Sequence, residues 1–347
     1  MFPTALESIR LCIFKKNLIY KKQYKNTNGS FTPARKADKS REDNDAIRIK
    51  PVMYIQQRTL AAPVHFKGVG VHSGKTVNMT VRPAPPNFGI RFRRLDLPGK
   101  PMISGHFNRV IDTSLATVIG EDGCIVSTIE HLMASLSGLS IDNAVAELDD
   151  YEVPIMDGSA SVFTDAIRDT GIAYQDAPRM YFVIQSPIEL KRDGKAVGIY
   201  PGNRRTISAT IRFDHPAISE QKYTIDLTDG NFAREIGPAR TFGFYQELEY
   251  LKLYGLGKGG SLDNAVIIGT EGVLNENGLR FPDEFVRHKI LDSIGDFALL
   301  GMPIMGHIEL YKSGHNFNHE FLKEFFRQKK AWKTAPIDAQ ENSTLSG

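Results

Sequence analysis

Cysteine is scarce in this sequence: Cys12 and Cys124 are the two among 347 residues. That excludes a disulfide framework and an all-thiolate zinc site and suits a reducing compartment, so a metal here must be held by His, Asp or Glu. Long apolar runs are missing too, and no stretch approaches the ~18 consecutive apolar residues of a membrane-spanning helix. The His-Glu-x-x-His pattern of many zinc peptidases is absent. So is a phosphate-binding loop. In Gly68–Thr76 the position five before Gly74 is Val69, where that loop needs glycine, and Val77, Met79 and Val81 then alternate as a strand. A tight glycine turn between two strands is the expectation. An excess of basic charge is likewise missing outside the first residues. The net +3 divides into +7 over residues 1–52 and −4 over the remainder. A nucleic-acid partner would have to rest on that leader alone, and none is expected.

What is present is the composition of a globular protein, 41% apolar and 24% charged, in a chain with room for two domains. Residues 1–52 hold no helical or strand period for long and read as a disordered basic leader. Three meanings are open for it. It is an organelle transit peptide, since Glu7 is the one acid in the first 37 residues; or a basic tail for an anionic surface; or an upstream extension, with translation starting at Met53. The last is preferred, because the leader offers no core residues that the next segment needs.

From Met53 the pattern turns to strands. Leu60, Ala62, Val64 and Phe66 alternate, then Val77, Met79 and Val81, then Ile90 and Phe92. Ser127 opens a helix with Glu130 in a capping-box position and Leu132, Met133 and Leu136 as its apolar stripe. A second helix follows Asp157-Gly158, with Val162, Phe163, Ala166 and Ile167 on one face. After Pro178 strands are expected at Tyr181–Leu190, Val197–Tyr200 and Ile207–Phe213. Helices are expected near Tyr245–Tyr254, Pro282–Leu300 and Asn318–Trp332. Each half therefore reads as strands followed by two helices. The fold class is α+β, with two similar domains at 53–177 and 178–333, the active site between them, and a frayed polar tail at 334–347.

Three motifs carry chemistry in two possible senses. In Phe285–Asp296, His288, Asp292 and Asp296 recur at i, i+4 and i+8 and share one helix face. They either chelate a divalent metal, with a further carboxylate orienting a ring nitrogen, or form a surface ion-pair ladder with Arg287 and Lys289. In Ser127–His131, Glu130 is either the capping acid or a proton acceptor beside a ligating His131. In Lys312-Ser-Gly-His315, a glycine loop presents His315 to a cleft just before a helix, or the histidine is incidental.

Taken together, Glu130-His131, Ala239–Phe244, Phe285–Asp292 and Lys312–His315 closely resemble the zinc-dependent deacetylase family of lipid A biosynthesis, UDP-3-O-acyl-N-acetylglucosamine deacetylase. Gly68–Lys75, Arg82–Pro85, Ile141–Asn143 and Pro154–Ala160 match it as well, so the resemblance runs from about Tyr54 to Phe326. It implies one Zn²⁺ per chain on His131, His288 and Asp292, with a fourth position open for water. It implies Glu130 as general base, and His315 as the second catalytic group held charged by Asp296. Thr241 would be a donor to the oxyanion, with Lys289 and Phe242 near the nucleotide end of a UDP-linked acylated glucosamine. The family's acyl passage would fall at Tyr245–Ile268, with Leu248, Leu251, Leu253 and Leu256 available to line it. The implied protein is a cytoplasmic monomer, or a mitochondrial one if the leader is a transit peptide.

Overall fold

The computed structural model describes residues 54–338. The expected leader at 1–52 lies outside the described residues, as does the end of the expected tail.

Apolar alternation builds the first sheet. β1 (Gln56–Leu60) leads to β2 (Val64–Val69), β3 (Thr76–Pro83), β4 (Ile90–Arg94) and β5 (Met102–Ser104). In β2 and β3, Val64, Phe66, Val77, Met79 and Val81 are buried while their neighbours turn outward. The glycine turn between these strands is present, with Gly74 at φ +69° and its N–H donating to the Gly70 carbonyl. A small antiparallel sheet follows, β6 (Val110–Asp112), β7 (Val118–Glu121) and β8 (Cys124–Val126). Then come α1 (Glu130–Gly138), β9 (Ala144–Leu148), α2 (Ser161–Thr170) and β10 (Ile172–Pro178). β9 enters the middle of the first sheet, in the order β2-β3-β9-β4-β5, antiparallel to β3 and parallel to β4. All five of its residues are buried, as a strand covered on both faces requires. Its one charge, Glu147, is taken up by Arg82 and Arg93 at 2.5 and 2.9 Å. On α2, Phe163 meets Phe66 of β2 edge-on at 5.0 Å between ring centres.

The second half repeats the order with longer strands. β11 (Met180–Ile184), β12 (Ile188–Arg192), β13 (Lys195–Tyr200), β14 (Arg205–Arg212) and β15 (Glu220–Asp226) come first. They are followed by β16 (Phe242–Phe244), α3 (Tyr245–Leu253), β17 (Val266–Ile268), α4 (Glu284–Ala298), β18 (Ile304–Tyr311), α5 (His315–Arg327) and β19 (Trp332–Pro336). β18 takes the place that β9 has in the first sheet, antiparallel to β13 and parallel to β14. Both halves thus run sheet, helix, central strand, helix, in an α+β fold.

Helix α1 packs directly on α4. A β-carbon at Gly295 would lie 2.1 Å from the Glu130 carbonyl oxygen, so glycine alone permits this approach. The contact puts the N-terminal end of α1 beside the C-terminal turn of α4.

Several expected elements differ in their bounds. The alternation Leu60–Phe66 is broken at 61–63, where Ala62 is exposed, and Tyr181–Leu190 divides into β11 and β12. The last helix starts at His315, three residues early, and ends at Arg327. Trp332 instead opens β19, which pairs antiparallel to β11 as far as Pro336, so the sheet continues past residue 333 where a frayed tail was expected. The cause is aromatic packing. The Trp332 indole stacks on Phe325 at 5.3 Å, meets Phe182 edge-on at 4.7 Å and donates to the Phe325 carbonyl at 3.0 Å. That combination outweighs the polar character of the residues around it. Among the described residues no helix is long and apolar enough to cross a membrane.

Candidate active site

The entry into α1 is not a capping box. Ile129 occupies the N-cap and no side chain caps the helix. Thr128 sits in the left-handed region at φ +59°, its hydroxyl donating to Glu152 at 3.2 Å. The expected capping acid, Glu130, is buried and turned inward, its Oε2 accepting from the Thr117 N–H at 3.1 Å. His131 follows, 4% exposed.

The i, i+4, i+8 face of α4 is equally buried, with His288, Asp292 and Asp296 1%, 3% and 3% exposed. A surface ladder is therefore excluded. Arg287 pairs with Asp283 at 2.6 Å instead, and Lys289 alone reaches the face, bonding Asp292 Oδ2 at 2.7 Å.

His131, His288 and Asp292 converge, one donor atom of each lying within 4.8 Å of the others. Asp292 Oδ1 is 3.5 Å from His131 Nε2 and 3.2 Å from His288 Nε2, and the two rings stand perpendicular at 5.0 Å. The other nitrogen of His288, Nδ1, donates to the Ala239 carbonyl at 3.0 Å, which leaves the Nε2 lone pair facing the cluster. Burial holds the His288 imidazole below its ordinary pKa, despite Asp292 beside it. Burial works against the Asp292 carboxylate ionising, but its pairing with His288 and the nearby Lys289 and His315 cations outweigh it and hold the group well below its usual range. A neutral imidazole at His288 and an ionised carboxylate at Asp292 are the states a divalent ion binds, so these donors, with His131 beside them, fit a metal.

A second pair faces this cluster. His315, the first residue of α5, lies with Nε2 3.9 Å from Glu130 Oε1 and 3.8 Å from Asp292 Oδ2. Its Nδ1 donates to Asp296 Oδ2 at 2.9 Å. Asp296 is itself anchored, accepting from the Thr117 hydroxyl at 2.6 Å and from the Asn318 amide at 2.8 Å. Burial alone would discharge the imidazolium. The carboxylates of Asp296, Asp292 and Glu130 reverse this and raise it to about 10. Glu130 is raised to about 7 by burial, with Asp292 and Asp296 adding to the effect and His315 opposing it. The site thus sets a carboxylate able to take a proton against an imidazolium able to give one.

Phe242 and Lys289 lie at the edge of the cluster. The Phe242 ring sits 6.1 Å from that of His288 and 5.3 Å from Lys289 Nζ. Thr241 is fixed through its backbone, to the Gly158 carbonyl and the Val266 N–H, both at 2.7 Å. Among the described residues its hydroxyl has no hydrogen-bond partner, which leaves that donor free. Its neighbour Arg240 forms a fork on the fully buried Glu284 at 2.9 and 3.1 Å and so fixes the 239–242 segment to the start of α4. Of the leucines of the expected passage, Leu248, Leu251 and Leu256 are half-buried, whereas Leu253 is 84% exposed and does not turn inward.

Thr117, Asn318 and the Arg240–Glu284 fork were not singled out from sequence. Asn318 carried a signal, since it lies one turn beyond His315 on the same helix. Thr117 carried none, lying in an irregular segment before β7.

Fold and site together define an α+β hydrolase with a buried cluster able to hold a metal ion, flanked by a carboxylate and a charged imidazole. The family described as UDP-3-O-acyl N-acetylglycosamine deacetylase matches residues 57–327. A UDP-3-O-acyl-N-acetylglucosamine deacetylase of Myxococcus xanthus is 46% identical over 293 residues, covering 84% of this chain and 93% of the relative. Proteins with that same name from Syntrophotalea carbinolica and Teredinibacter turnerae are 48% and 45% identical, again over 84% of this chain, and over 95% and 97% of their own lengths. The chain belongs to the UDP-3-O-acyl N-acetylglycosamine deacetylase family.

Proposed function

We propose that this protein hydrolyses the N-acetyl group of UDP-3-O-(3-hydroxyacyl)-N-acetylglucosamine, releasing acetate, the committed step of lipid A biosynthesis, and that it does so with one Zn²⁺ held by His131, His288 and Asp292. The observation that carries this reading is the placement of Glu130 and His315 beside the three-donor cluster.

Bound in that cluster, the ion would supply Lewis acidity, polarising the amide carbonyl and acidifying water. The remaining steps fall to side chains. Glu130 takes the proton of the attacking water, its elevated pKa suiting a base that works near neutrality. The Thr241 hydroxyl offers a hydrogen bond to the oxygen that gains charge as water adds. His315 is held as imidazolium by Asp296, and Asp296 is held by Thr117 and Asn318. It steadies the developing charge and protonates the nitrogen as the C–N bond breaks, so that acetate and a free amine leave. Lys289 and Phe242 border the nucleotide end, and the 245–268 segment borders the acyl chain.

The reading includes two domains, at 53–177 and 178–333, each contributing ligands from the helix that precedes its central strand. It also takes the protein to be a monomer of the cytoplasm. The test is acetate release from UDP-3-O-acyl-N-acetylglucosamine by the protein as purified, after chelation, and after zinc is restored. Activity should vanish and return. Full turnover by a metal-free preparation would end the zinc assignment, and no acetate under any condition would end the substrate assignment.

A further inference from the structure

On the faces of α1 and α4 turned away from the catalytic residues, a half-open cavity of about 80 Å³ lies between the helix pair and the second sheet. Its floor is apolar, formed by Met133, Leu136, Ile207 and Phe297. Its polar side is formed by Arg179, Arg205 and Asp142. Arg179 is buried and paired, its Nε bonding Asp142 Oδ1 at 2.9 Å. The other Asp142 oxygen accepts from the Arg58 N–H, and the nearby Asp229 accepts from the Arg58 guanidinium and the Ser140 hydroxyl. Arg205 is left over. Among the described residues its guanidinium has neither a hydrogen-bond nor an ion-pair partner. Burial, and then the neighbouring Arg179, depress it to about 10, the behaviour of a cation short of an anion.

We infer that this cavity is a binding site for a short aliphatic carboxylate, its carboxylate on the Arg205 fork and its hydrocarbon on the Met133–Phe297 floor. A planar monoanion matches a guanidinium in bidentate fashion. A phosphate dianion suits the cavity poorly, because the walls are apolar and the Asp142 carboxylate faces the same space. The volume is roughly half the ~150 Å³ that accommodates benzene, so a tail of about two or three carbons fills it. The site lies outside the catalytic cluster and does not depend on the deacetylase reading. Its occupant would nevertheless touch both helices that carry that cluster.

The probe is butyrate, titrated into the full chain with ¹³C-methyl-labelled methionine. Met133 and Met302 line the cavity, whereas Met79 and Met156 lie elsewhere. Saturable shifts of the Met133 and Met302 methyls, with a dissociation constant of roughly 1 mM or tighter, are expected. Met79 and Met156 should stay in place, inorganic phosphate should produce no shift, and Arg205→Gln should weaken butyrate at least tenfold. The inference is overturned if Met133 and Met302 do not respond, if Met156 alone responds, if phosphate acts as butyrate does, or if Arg205→Gln binds butyrate unchanged. Should Arg205→Gln not fold, the wild-type titration decides by itself.

Discussion

The carbonyl oxygen of Glu130 rests against Gly295, where an added β-carbon would approach to 2.1 Å. The spacing between the carboxylate on α1 and the ligands on α4 is therefore set by a missing side chain.

Gly295→Ala should separate the two helices. Overpacking of this kind costs about 1–3 kcal/mol, and a displacement of about 1 Å at reacting groups can cost about 10²-fold in rate. The expected variant is folded, less stable to denaturant and slower by about that factor. Unchanged turnover would show that the helix contact does not set the catalytic spacing.

Proton handling and metal holding should separate by substitution. Glu130→Ala and His315→Ala should retain one metal per chain yet lose about 10²–10⁴-fold in turnover. His131→Ala should lose metal affinity itself. Metal analysis of the purified variants beside steady-state rates checks this. A metal-depleted Glu130→Ala, or a His315→Ala with wild-type turnover, would contradict the assigned role at that position.

The pH–rate profile should be bell-shaped. Glu130 works as a carboxylate, so the rate falls as pH drops through its pKa, about 7 in the metal-free site. His315 works as an imidazolium, so the rate falls as pH rises through its pKa, about 10 in the same state. A bound divalent cation favours the carboxylate and disfavours the imidazolium, which moves both limbs to lower pH. Each alanine substitution should alter its own limb. A profile with one limb, or one unaltered by both substitutions, would contradict the pairing.

The Arg240–Glu284 fork should matter for stability before it matters for chemistry. Glu284 is fully buried and also accepts from the Arg240 and Arg280 N–H groups. Glu284→Ala leaves a buried guanidinium unpaired, a change worth about 3–5 kcal/mol. Denaturation should report a loss of that size. A loss under about 1 kcal/mol would mean water replaces the carboxylate.

Local signals made much of the fold legible. Period two marked β2 and β3, and the apolar stripe of Leu132, Met133 and Leu136 marked α1. Pairing was not legible, because β9 and β18 enter the middle of sheets whose other strands lie far away in sequence. The site divides the same way. Spacing placed His288, Asp292 and Asp296 on one face but left a surface ladder open. Only the resemblance to the deacetylase family joined His131 to them. The contact of Thr117 with Asp296 spans 179 positions and leaves no local trace.

The two ends of the described fold meet at one seam. The Ile55 N–H donates to the Ile337 carbonyl at 3.1 Å, the Ile55 carbonyl accepts from the Arg179 N–H at 2.7 Å, and Tyr54 bridges to Asp338. During translation Ile55 emerges some 280 residues before its partner. At about 5–20 residues per second the delay is roughly 15–55 s. β11 waits over a shorter span, some 150 residues or roughly 7–30 s at that rate, with no β19 beside it, and Phe182 lacks the indole that covers it in the finished fold. The nascent second sheet therefore presents an open, aromatic-lined edge to the cell for up to about half a minute, and its closure is an event of chain release.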